Sequence, residues 1–278
     1  MRAPDPSLPI AVFDSGVGGL TVLHECLVWL PHEDFVYCGD TARFPYGGRS
    51  AEELRRFSLE LAGRLVDDGA KLLVVACNSA SAAALDDLTD TFGARIPVIG
   101  VVGAAARLAG SATRNRRIGV LGTPATIASG AYERALAESA PDAEVLPVPC
   151  PKLAPLIQAG GEIDERVVGL VDEYCAPLIA GGVDTVVLGC THYPLVRAVL
   201  QRALGRHVTI VSSGEAIADE VERALAGRDA ENDGSRRGSY RFACTGDVDE
   251  FRALAARSLP LPIGEVRRIE LAPVARVA

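Results

Sequence analysis

Lysine is the scarcest charged residue in this chain of 278 residues, which has only Lys71 and Lys152. A pyridoxal-dependent enzyme needs a lysine that forms a Schiff base with the cofactor. Lys71 lies at the start of a predicted strand, at the edge of the sheet opposite the expected ligand site. Lys152 lies among prolines. The shortage therefore argues against pyridoxal phosphate and favours chemistry without a cofactor.

Paired metal-binding and disulfide motifs are also missing. The chain has seven cysteines but no Cys-x-x-Cys pair and no closely spaced Cys/His cluster. A dispersed, odd set of cysteines is typical of a reducing compartment, so we expect a cytoplasmic protein. A metal site would have to be assembled by the fold from distant segments, and none is predicted.

Three further absences narrow the function. No run approaches 18 uncharged apolar residues, and residues 1–9 lack the apolar core of a signal peptide, so no membrane association is expected. The net charge of −8 argues against nucleic acid as a partner. DSGVGG (14–19) lacks the third small residue of a dinucleotide fingerprint because Thr21 stands there, and no Walker sequence occurs, so no nucleotide is predicted.

Two cysteines stand out among the residues that are present. Cys77 closes the apolar run LLVVAC and Cys190 closes TVVLGC, and each run leads into a predicted helix. The carboxyl ends of parallel strands are where open α/β sheets place their ligands. Amides at a helix start favour negative charge, so both positions are expected to favour a thiolate.

The two cysteines belong to a longer internal repeat. A shift of 113 residues aligns VDTVVLGCTH (183–192) with AKLLVVACNS (70–79), and a shift of 108 aligns RIGVLGTP (117–124) with PIAVFDSG (9–16). Buried parallel strands resemble one another in any case, which is the alternative explanation. Two nearly equal shifts that both align a cysteine favour a duplicated half.

Strands alternate with helical patterns along the whole chain, which predicts an α/β fold with mainly parallel sheets. We expect two similar αβα domains, related by a pseudo-twofold axis, with the active site at their interface. Residues 1–100 and 211–278 are predicted to form the first domain and residues 101–210 the second. A strand is expected at 9–13 and a helix at about 126–139, and the apolar segment PVIGVV (97–102) leads from the first half into the second.

Polar residues flank both cysteines and the first strand. Asp14 is a candidate proton-handling group, although it could instead cap the following helix. Asn78 and Ser79 follow Cys77, as Thr191 and His192 follow Cys190, and such residues can bind a carboxylate or cap a helix. His192 is either functional or a structural histidine whose hydrogen bonds are satisfied.

Two opposed thiols can remove a carbon-bound proton from one face of a substrate and return a proton to the other face. This requires one thiolate and one thiol. A hydrolase with one nucleophile, Cys190, and a histidine base is the alternative, but it leaves the repeated Cys77 without a role. The other five cysteines are predicted to be dispensable for chemistry.

Several motifs together resemble those of the glutamate racemases, cofactor-independent enzymes of bacterial cell-wall synthesis. They are FDSGVGGLTVL (13–23), GDTARFPYG (39–47), ACNSAS (76–81), GVLGTPATIASGAYERAL (119–136), GCTHYPL (189–195) and SSGEAIADEV (212–221). The resemblance covers most of the chain. It implies interconversion of L- and D-glutamate for peptidoglycan and, commonly, a homodimer.

The resemblance also implies roles for individual residues. Cys77 is expected to deprotonate the D-enantiomer with help from Asp14, and Cys190 the L-enantiomer with help from His192. The implied substrate-binding residues are Asp14, Ser15, Tyr46, Gly47, Asn78, Ser79, Thr191 and His192. Ser79 stands where a threonine is usual, and Gln158 stands where many members have a glutamate, so no role is predicted for Gln158.

Two other functions are compatible with parts of the sequence. A sister two-cysteine enzyme could act on aspartate, although the GDTARFPYG loop favours glutamate. A non-catalytic amino-acid-binding module would need no thiol on either face of its ligand. The presence of both cysteines therefore favours a racemase.

Overall fold

The computed structural model describes residues 5–160, 163–258 and 262–271. Its strands are β1 (Ile10–Asp14), β2 (Phe35–Gly39), β3 (Leu72–Val75), β4 (Val98–Gly100), β5 (Arg117–Gly122), β6 (Glu144–Pro149), β7 (Thr185–Gly189), β8 (Thr209–Ser212), β9 (Tyr240–Cys244) and β10 (Val266–Arg268). Its helices are α1 (Leu20–Trp29), α2 (Ala51–Asp67), α3 (Asn78–Phe92), α4 (Val101–Ala112), α5 (Pro124–Ala128), α6 (Ala131–Ser139), α7 (Leu153–Gln158), α8 (Glu165–Ala180), α9 (Arg197–Leu204), α10 (Ser213–Ala226) and α11 (Val248–Ser258). None of these described helices is long and apolar enough to cross a bilayer.

The strands form two parallel sheets. The first has the order β10-β9-β2-β1-β3-β4 and the second the order β6-β5-β7-β8. Every neighbouring pair in both sheets is parallel. The predicted α/β class with mainly parallel sheets is therefore confirmed.

The internal repeat is visible in the pairing of the strands. The order β2-β1-β3-β4 in the first sheet matches β6-β5-β7-β8 in the second. Ile10 pairs with Leu72 in the first sheet. A shift of 108 residues leads from Ile10 to Ile118, and a shift of 113 leads from Leu72 to Thr185. Ile118 and Thr185 also pair, in the second sheet. The repeated sequences therefore form the same unit in the same register, with a cysteine just beyond the third strand of each.

Helices cover both faces of each sheet. Successive residues of a strand point to opposite faces, so they pack against different helices. In β1, Ile10 and Val12 pack towards α1 and α10, whereas Ala11 and Phe13 pack towards α2 and α3. The second sheet is covered by α8 and α9 on one face and by α4 and α6 on the other. Helix α4 also packs against α10, so it contributes to the cores of both sheets.

Residue 210, the predicted domain boundary, falls inside β8, which runs to Ser212 and pairs with β7 in the second sheet. Strands β9 and β10 follow it in the chain and lie in the first sheet. The division into two domains remains a prediction, and this strand membership supports a chain that leaves the first sheet and later returns to it.

The segment after Cys190 differs from the prediction, because no α-helix begins there. A 3-10 helix covers Tyr193–Val196, and α9 begins at Arg197. Pro194 lies in the first turn of the 3-10 helix; a proline has no backbone N–H and restricts the residue before it. Only Cys77 therefore lies at an α-helix start, as the N-cap of α3.

Other elements of the structure also differ from the predicted ones. The helix expected at 126–139 is broken into α5 and α6 at Gly130, whose φ of 65° lies in the left-handed region that interrupts a helix. The segment 97–102 contains β4, which ends at Gly100, and the start of α4 at the next residue. Helix α7 and strand β10 were not predicted, because six and three residues are too few to show a clear period.

Neighbouring residues of α8 offer a test of this packing. Leu178 is fully buried under the second sheet and would contact a side chain added at Gly119, whereas Ile179 is 53% exposed. We expect Leu178→Ala to lower the free energy of unfolding by about 2–5 kcal/mol, because it leaves a cavity. Ile179→Ala is the matched control and should change the free energy of unfolding by less than about 1 kcal/mol. Urea titration of both variants measures the two changes. Equal losses in the two variants would contradict the assigned packing.

Candidate active site

Both cysteine segments open onto one cavity between the carboxyl edges of the two sheets. Its volume is about 140 Å³, which suits a small molecule. It is lined by Ser15, Phe44, Pro45, Tyr46, Gly47, Gly48, Cys77, Asn78, Ser79, Thr123, Pro124, Cys150, Pro151, Ala154, Pro155, Cys190, Thr191 and His192. The structure thus brings nine of the ten predicted site residues to one cavity, and the tenth is Asp14.

The two thiols have different polar neighbours. Cys77 Sγ lies 3.9 Å from Ser15 Oγ, and Cys190 Sγ lies 3.8 Å from His192 Nδ1. Both cysteines are buried, at 5% and 6% exposure. The thiol at the end of β3 therefore has a hydroxyl partner, and the thiol at the end of β7 has an imidazole partner.

The pKa values of both thiols differ from the expected lowering. Burial raises the pKa of Cys77 to about 12; the charge of Asp14 adds to this, and the Ala80 amide and the Ser15 hydroxyl offset it in part. Burial also raises the pKa of Cys190 well above its ordinary value. Removal from water thus outweighs the α3 helix start, and both thiols are protonated at neutral pH in this structure.

Asp14 lies behind the cavity, since it is fully buried and is not among the lining residues. Its Oδ1 accepts from the Gly16 amide at 2.8 Å, and its Oδ2 accepts from Thr191 Oγ1 at 3.0 Å. Burial raises the pKa of this carboxyl, and the hydrogen bonds counteract the rise. Asp14 therefore joins the turn after β1 to the segment after β7, and its charge acts on both thiols.

The glycines of the DSGVGG turn make room for side chains of the second repeat. A Cβ at Gly16 would lie 2.1 Å from Gln158 Oε1, and a Cβ at Gly18 would lie 2.5 Å from His192 Nδ1. Neither glycine lines the cavity. Their lack of a side chain lets residues of the second repeat pack against the turn.

His192 is buried and well fixed. Its Nε2 lies 2.8 Å from Gln158 Oε1, and its ring centroid lies 5.6 Å from that of Phe44. Burial lowers the pKa of His192 to about 4, because the charged imidazolium would lose its hydration. The side chain is therefore neutral at physiological pH.

Asn78 has one paired end and one unpaired end. Its Oδ1 accepts from Tyr132 Oη at 2.6 Å and from Ser213 Oγ at 3.2 Å, whereas its buried Nδ2 has no partner. Two donors fix the orientation of the amide, so the NH₂ group remains available to an acceptor in the cavity. Tyr132 and Ser213 were not predicted as site residues, although both lie within motifs of the resemblance.

Three hydroxyls connect the two repeats beside Asn78. Ser79 Oγ lies 2.9 Å from Thr123 Oγ1 and 3.3 Å from Thr126 Oγ1, and the two threonine oxygens are 3.0 Å apart. Thr123 is also the N-cap of α5. The serine that replaces the usual threonine thus keeps its hydroxyl in a polar cluster at the cavity wall.

The GDTARFPYG loop is held on both sides. The Tyr46 hydroxyl donates to the buried carboxylate of Asp40, and the Gly47 carbonyl accepts from the Ala125 amide at 2.9 Å. A Cβ at Gly47 would lie 2.7 Å from Thr123 Cβ, so glycine is needed for this close approach. The loop therefore closes the cavity against the start of α5.

Cys150, which was predicted to have no part in the chemistry, lies on the cavity wall just after β6. This position could not be predicted from the repeat, because Cys150 lies outside the repeated strand and cysteine pattern. Burial raises the pKa of its thiol to about 12. Its dispensability remains a prediction.

Groups that could hold a cofactor lie elsewhere or are absent from the described part of the chain. No cluster of three or more His, Cys, Asp or Glu side chains with metal-binding geometry occurs there. Lys71 donates to the Pro6 and Ala230 carbonyls at 2.7 and 2.9 Å and pairs with Glu33, away from the cavity. Neither lysine is among the residues that line the cavity.

Comparison with known proteins gives a consistent result. The Asp/Glu/Hydantoin racemase family model matches residues 24–221. A glutamate racemase from Mycobacterium leprae is 47% identical over 96% of this chain and 97% of its own length. The crystal structure of a glutamate racemase isoform from Bacillus anthracis has a TM-score of 0.91 at 41% identity and covers 96% of this chain and 99% of its own. A Francisella tularensis glutamate racemase in complex with D-glutamate has a TM-score of 0.88 at 30% identity, with 95% and 98% covered.

The burial of His192 predicts its titration. We expect an NMR titration midpoint near pH 4 for this imidazole, below the ordinary value of about 6.5, because burial disfavours the charged form. Its resonances can be assigned as those absent from a His192→Asn variant. The lowered pKa stabilises the folded protein above about pH 6.5, and this contribution is lost as the pH falls towards 4. A midpoint above pH 6 would contradict the prediction.

Proposed function

Since the chain belongs to the Asp/Glu/Hydantoin racemase family, and within it to the glutamate racemases, we propose that it interconverts L-glutamate and D-glutamate. One observation carries the chemistry of this proposal. Cys77 and Cys190, at corresponding strand ends of two repeated units, line the same small cavity. A substrate between the two repeats would meet one thiol from each.

The reaction is a proton exchange at the α-carbon. One cysteine, as thiolate, removes the α-proton, and the other, as thiol, donates a proton to the opposite face. The two cysteines exchange these states when the reaction runs in reverse. By the family resemblance, Cys77 acts on the D-enantiomer and Cys190 on the L-enantiomer.

Neutral donors are proposed to bind the substrate carboxylates, because the cavity lining contains hydroxyls and amides but no arginine or lysine. The unpaired Nδ2 of Asn78 is the clearest of them. The hydroxyls of Ser15 and Ser79, the segment Tyr46–Gly47 and Thr191, whose hydroxyl hydrogen goes to Asp14, complete the proposed contacts.

Asp14 and His192 are proposed to support the two thiols. His192 faces Cys190 directly, at 3.8 Å from Nδ1 to Sγ. Asp14 is proposed to assist Cys77 and to hold Thr191, to which it is hydrogen-bonded, in its binding position. We assign Asp14 an indirect part in substrate binding, since it lies behind the cavity wall.

The wider role follows from the same resemblance. We propose a cofactor-independent enzyme that supplies D-glutamate for peptidoglycan in the cytoplasm and acts as a homodimer. It is proposed to require no pyridoxal phosphate, metal or nucleotide, and to have no membrane or nucleic-acid partner. The Francisella structure supports glutamate as ligand, because it is a complex with D-glutamate.

Incubation of the purified protein with L-glutamate tests the proposed activity. The optical rotation should decay to zero as D-glutamate forms, because the enantiomers have equal free energy. Activity should survive dialysis against a chelator, without a pyridoxal absorbance band. L-aspartate serves as the matched control and should react far more slowly. A preference for aspartate, or a requirement for added metal, would overturn the corresponding part of the proposal.

Single cysteine variants test the division of labour. Cys77→Ser and Cys190→Ser should each reduce glutamate racemisation by at least about 10²-fold, because a serine hydroxyl does not ionise at neutral pH. Elimination of chloride from β-chloroalanine needs only one proton abstraction, so each variant should still process one enantiomer. We expect Cys77→Ser to retain elimination from the L-form and Cys190→Ser from the D-form. The same enantiomer preference in both variants would exclude opposed thiols.

A further inference from the structure

Gln158, the last residue of α7, has a defined place beside the cavity although the chemistry described above does not use it. Its side chain is buried, and its Oε1 lies 2.8 Å from His192 Nε2 and 3.3 Å from the Val17 amide. The Val17 N–H lies in the turn after β1, so Gln158 connects that turn to His192.

These two contacts determine the orientation of the Gln158 amide. A backbone N–H can only donate, so the atom facing Val17 must be the carbonyl oxygen rather than the NH₂ group. The same oxygen faces His192 Nε2 and can only accept there. His192 Nε2 must therefore carry a hydrogen.

The position of that hydrogen fixes the other ring nitrogen. A neutral imidazole with hydrogen on Nε2 has a lone pair on Nδ1. Nδ1 is the atom that lies 3.8 Å from Cys190 Sγ. The opposite tautomer would place an N–H against the thiol and leave it without an acceptor.

We propose that Gln158 is a positioning residue that holds His192 as the Nε2–H tautomer, so that Nδ1 can accept the proton of Cys190. This inference rests on the proposed racemase function. In the step that it permits, the S–H bond of Cys190 breaks and an N–H bond forms at Nδ1, which leaves a thiolate beside an imidazolium with no change in net charge. Gln158 Oε1 stays hydrogen-bonded to Nε2–H throughout.

Two features make the tautomer of His192 important for the proposed proton transfer from Cys190. Burial keeps His192 neutral, with a pKa of about 4, so its resting state is one tautomer or the other. The turn is also built for this contact, since a Cβ at Gly16 would overlap Gln158 Oε1 at 2.1 Å. An amide suits the task because it accepts a hydrogen bond without adding a charge beside Cys190.

The effect should be confined to one half of the reaction. Cys77 has the Ser15 hydroxyl as its side-chain partner and no contact with His192 or Gln158 among the hydrogen bonds of the described residues. Loss of the Gln158 acceptor should therefore impair proton abstraction by Cys190 far more than abstraction by Cys77.

The tautomer can be measured without any substrate. In protein labelled with ¹⁵N-histidine, two-bond ¹H–¹⁵N correlations distinguish the protonated ring nitrogen from the unprotonated one. We expect His192 to be protonated on Nε2 in the unaltered protein and in Gln158→Glu, which keeps an acceptor. In Gln158→Leu the population should shift towards Nδ1–H. A wild-type His192 that is protonated on Nδ1 would overturn the inference, whatever the variants do.

Elimination from β-chloroalanine provides the kinetic test. Gln158→Leu is introduced into Cys77→Ser, where only Cys190 abstracts a proton, and separately into Cys190→Ser. We expect at least about a tenfold loss of kcat in the first background, since loss of a tautomer-fixing partner costs as much as about 10⁴-fold in other histidine-dependent enzymes. The loss in the second background should be several-fold smaller.

Gln158→Glu in the same backgrounds is the matched control and should restore most of the lost activity. Equal losses with leucine and glutamate, or equal losses in both backgrounds, would overturn the inference and indicate a structural role. If the unaltered protein does not racemise glutamate, the proposed function fails, but the NMR measurement still decides the tautomer. The two failures are therefore distinguishable.

Discussion

Parallel pairing in a repeated register is the constraint on which the rest of this structure depends. In a parallel sheet every strand presents its carboxyl end at the same edge, so residues that follow different strands collect along one line. The chain contains this arrangement twice, with β3 and β7 at equivalent places. When the two edges face each other, the residues after these strands meet across one cavity. A shift of register in either sheet would remove a thiol from it.

The cavity formed in this way is lined by buried side chains, and this burial controls its electrostatics. Burial raises the pKa of both active-site thiols and lowers that of His192, so each group is neutral in this structure. In the proposed mechanism, the charge is generated inside the site by proton transfer between neighbouring groups. This explains why hydrogen-bond orientation matters here more than fixed charge. The paired Oδ1 of Asn78 and the single acceptor of Gln158 are two examples.

Contacts between the repeats, rather than within them, set the geometry of the site. Thr191 of the second repeat donates to Asp14 of the first, and Ser79 of the first meets Thr123 of the second. Gln158 likewise reaches across to the amide of Val17. Each of these bonds is buried, where a polar group left without a partner costs about 1–3 kcal/mol. The two repeats are therefore held in one relative position by residues of the cavity wall and residues directly behind it.

The amino-acid sequence by itself indicated the fold class, the repeat and the pair Cys77 and Cys190. Hydrophobic periodicity and residue spacing can be read directly from the order of residues along the chain. It also indicated the motifs of the family. Only the tertiary structure decided which residues support these thiols. Gln158 lies beside His192, Tyr132 beside Asn78 and Cys150 in the cavity wall only because the fold brings together segments that are distant along the chain. The pKa values were likewise decided by tertiary structure, because burial depends on every element packed around a group. The helix start after Cys77 favours a thiolate, whereas burial in the folded chain raises the pKa of this thiol.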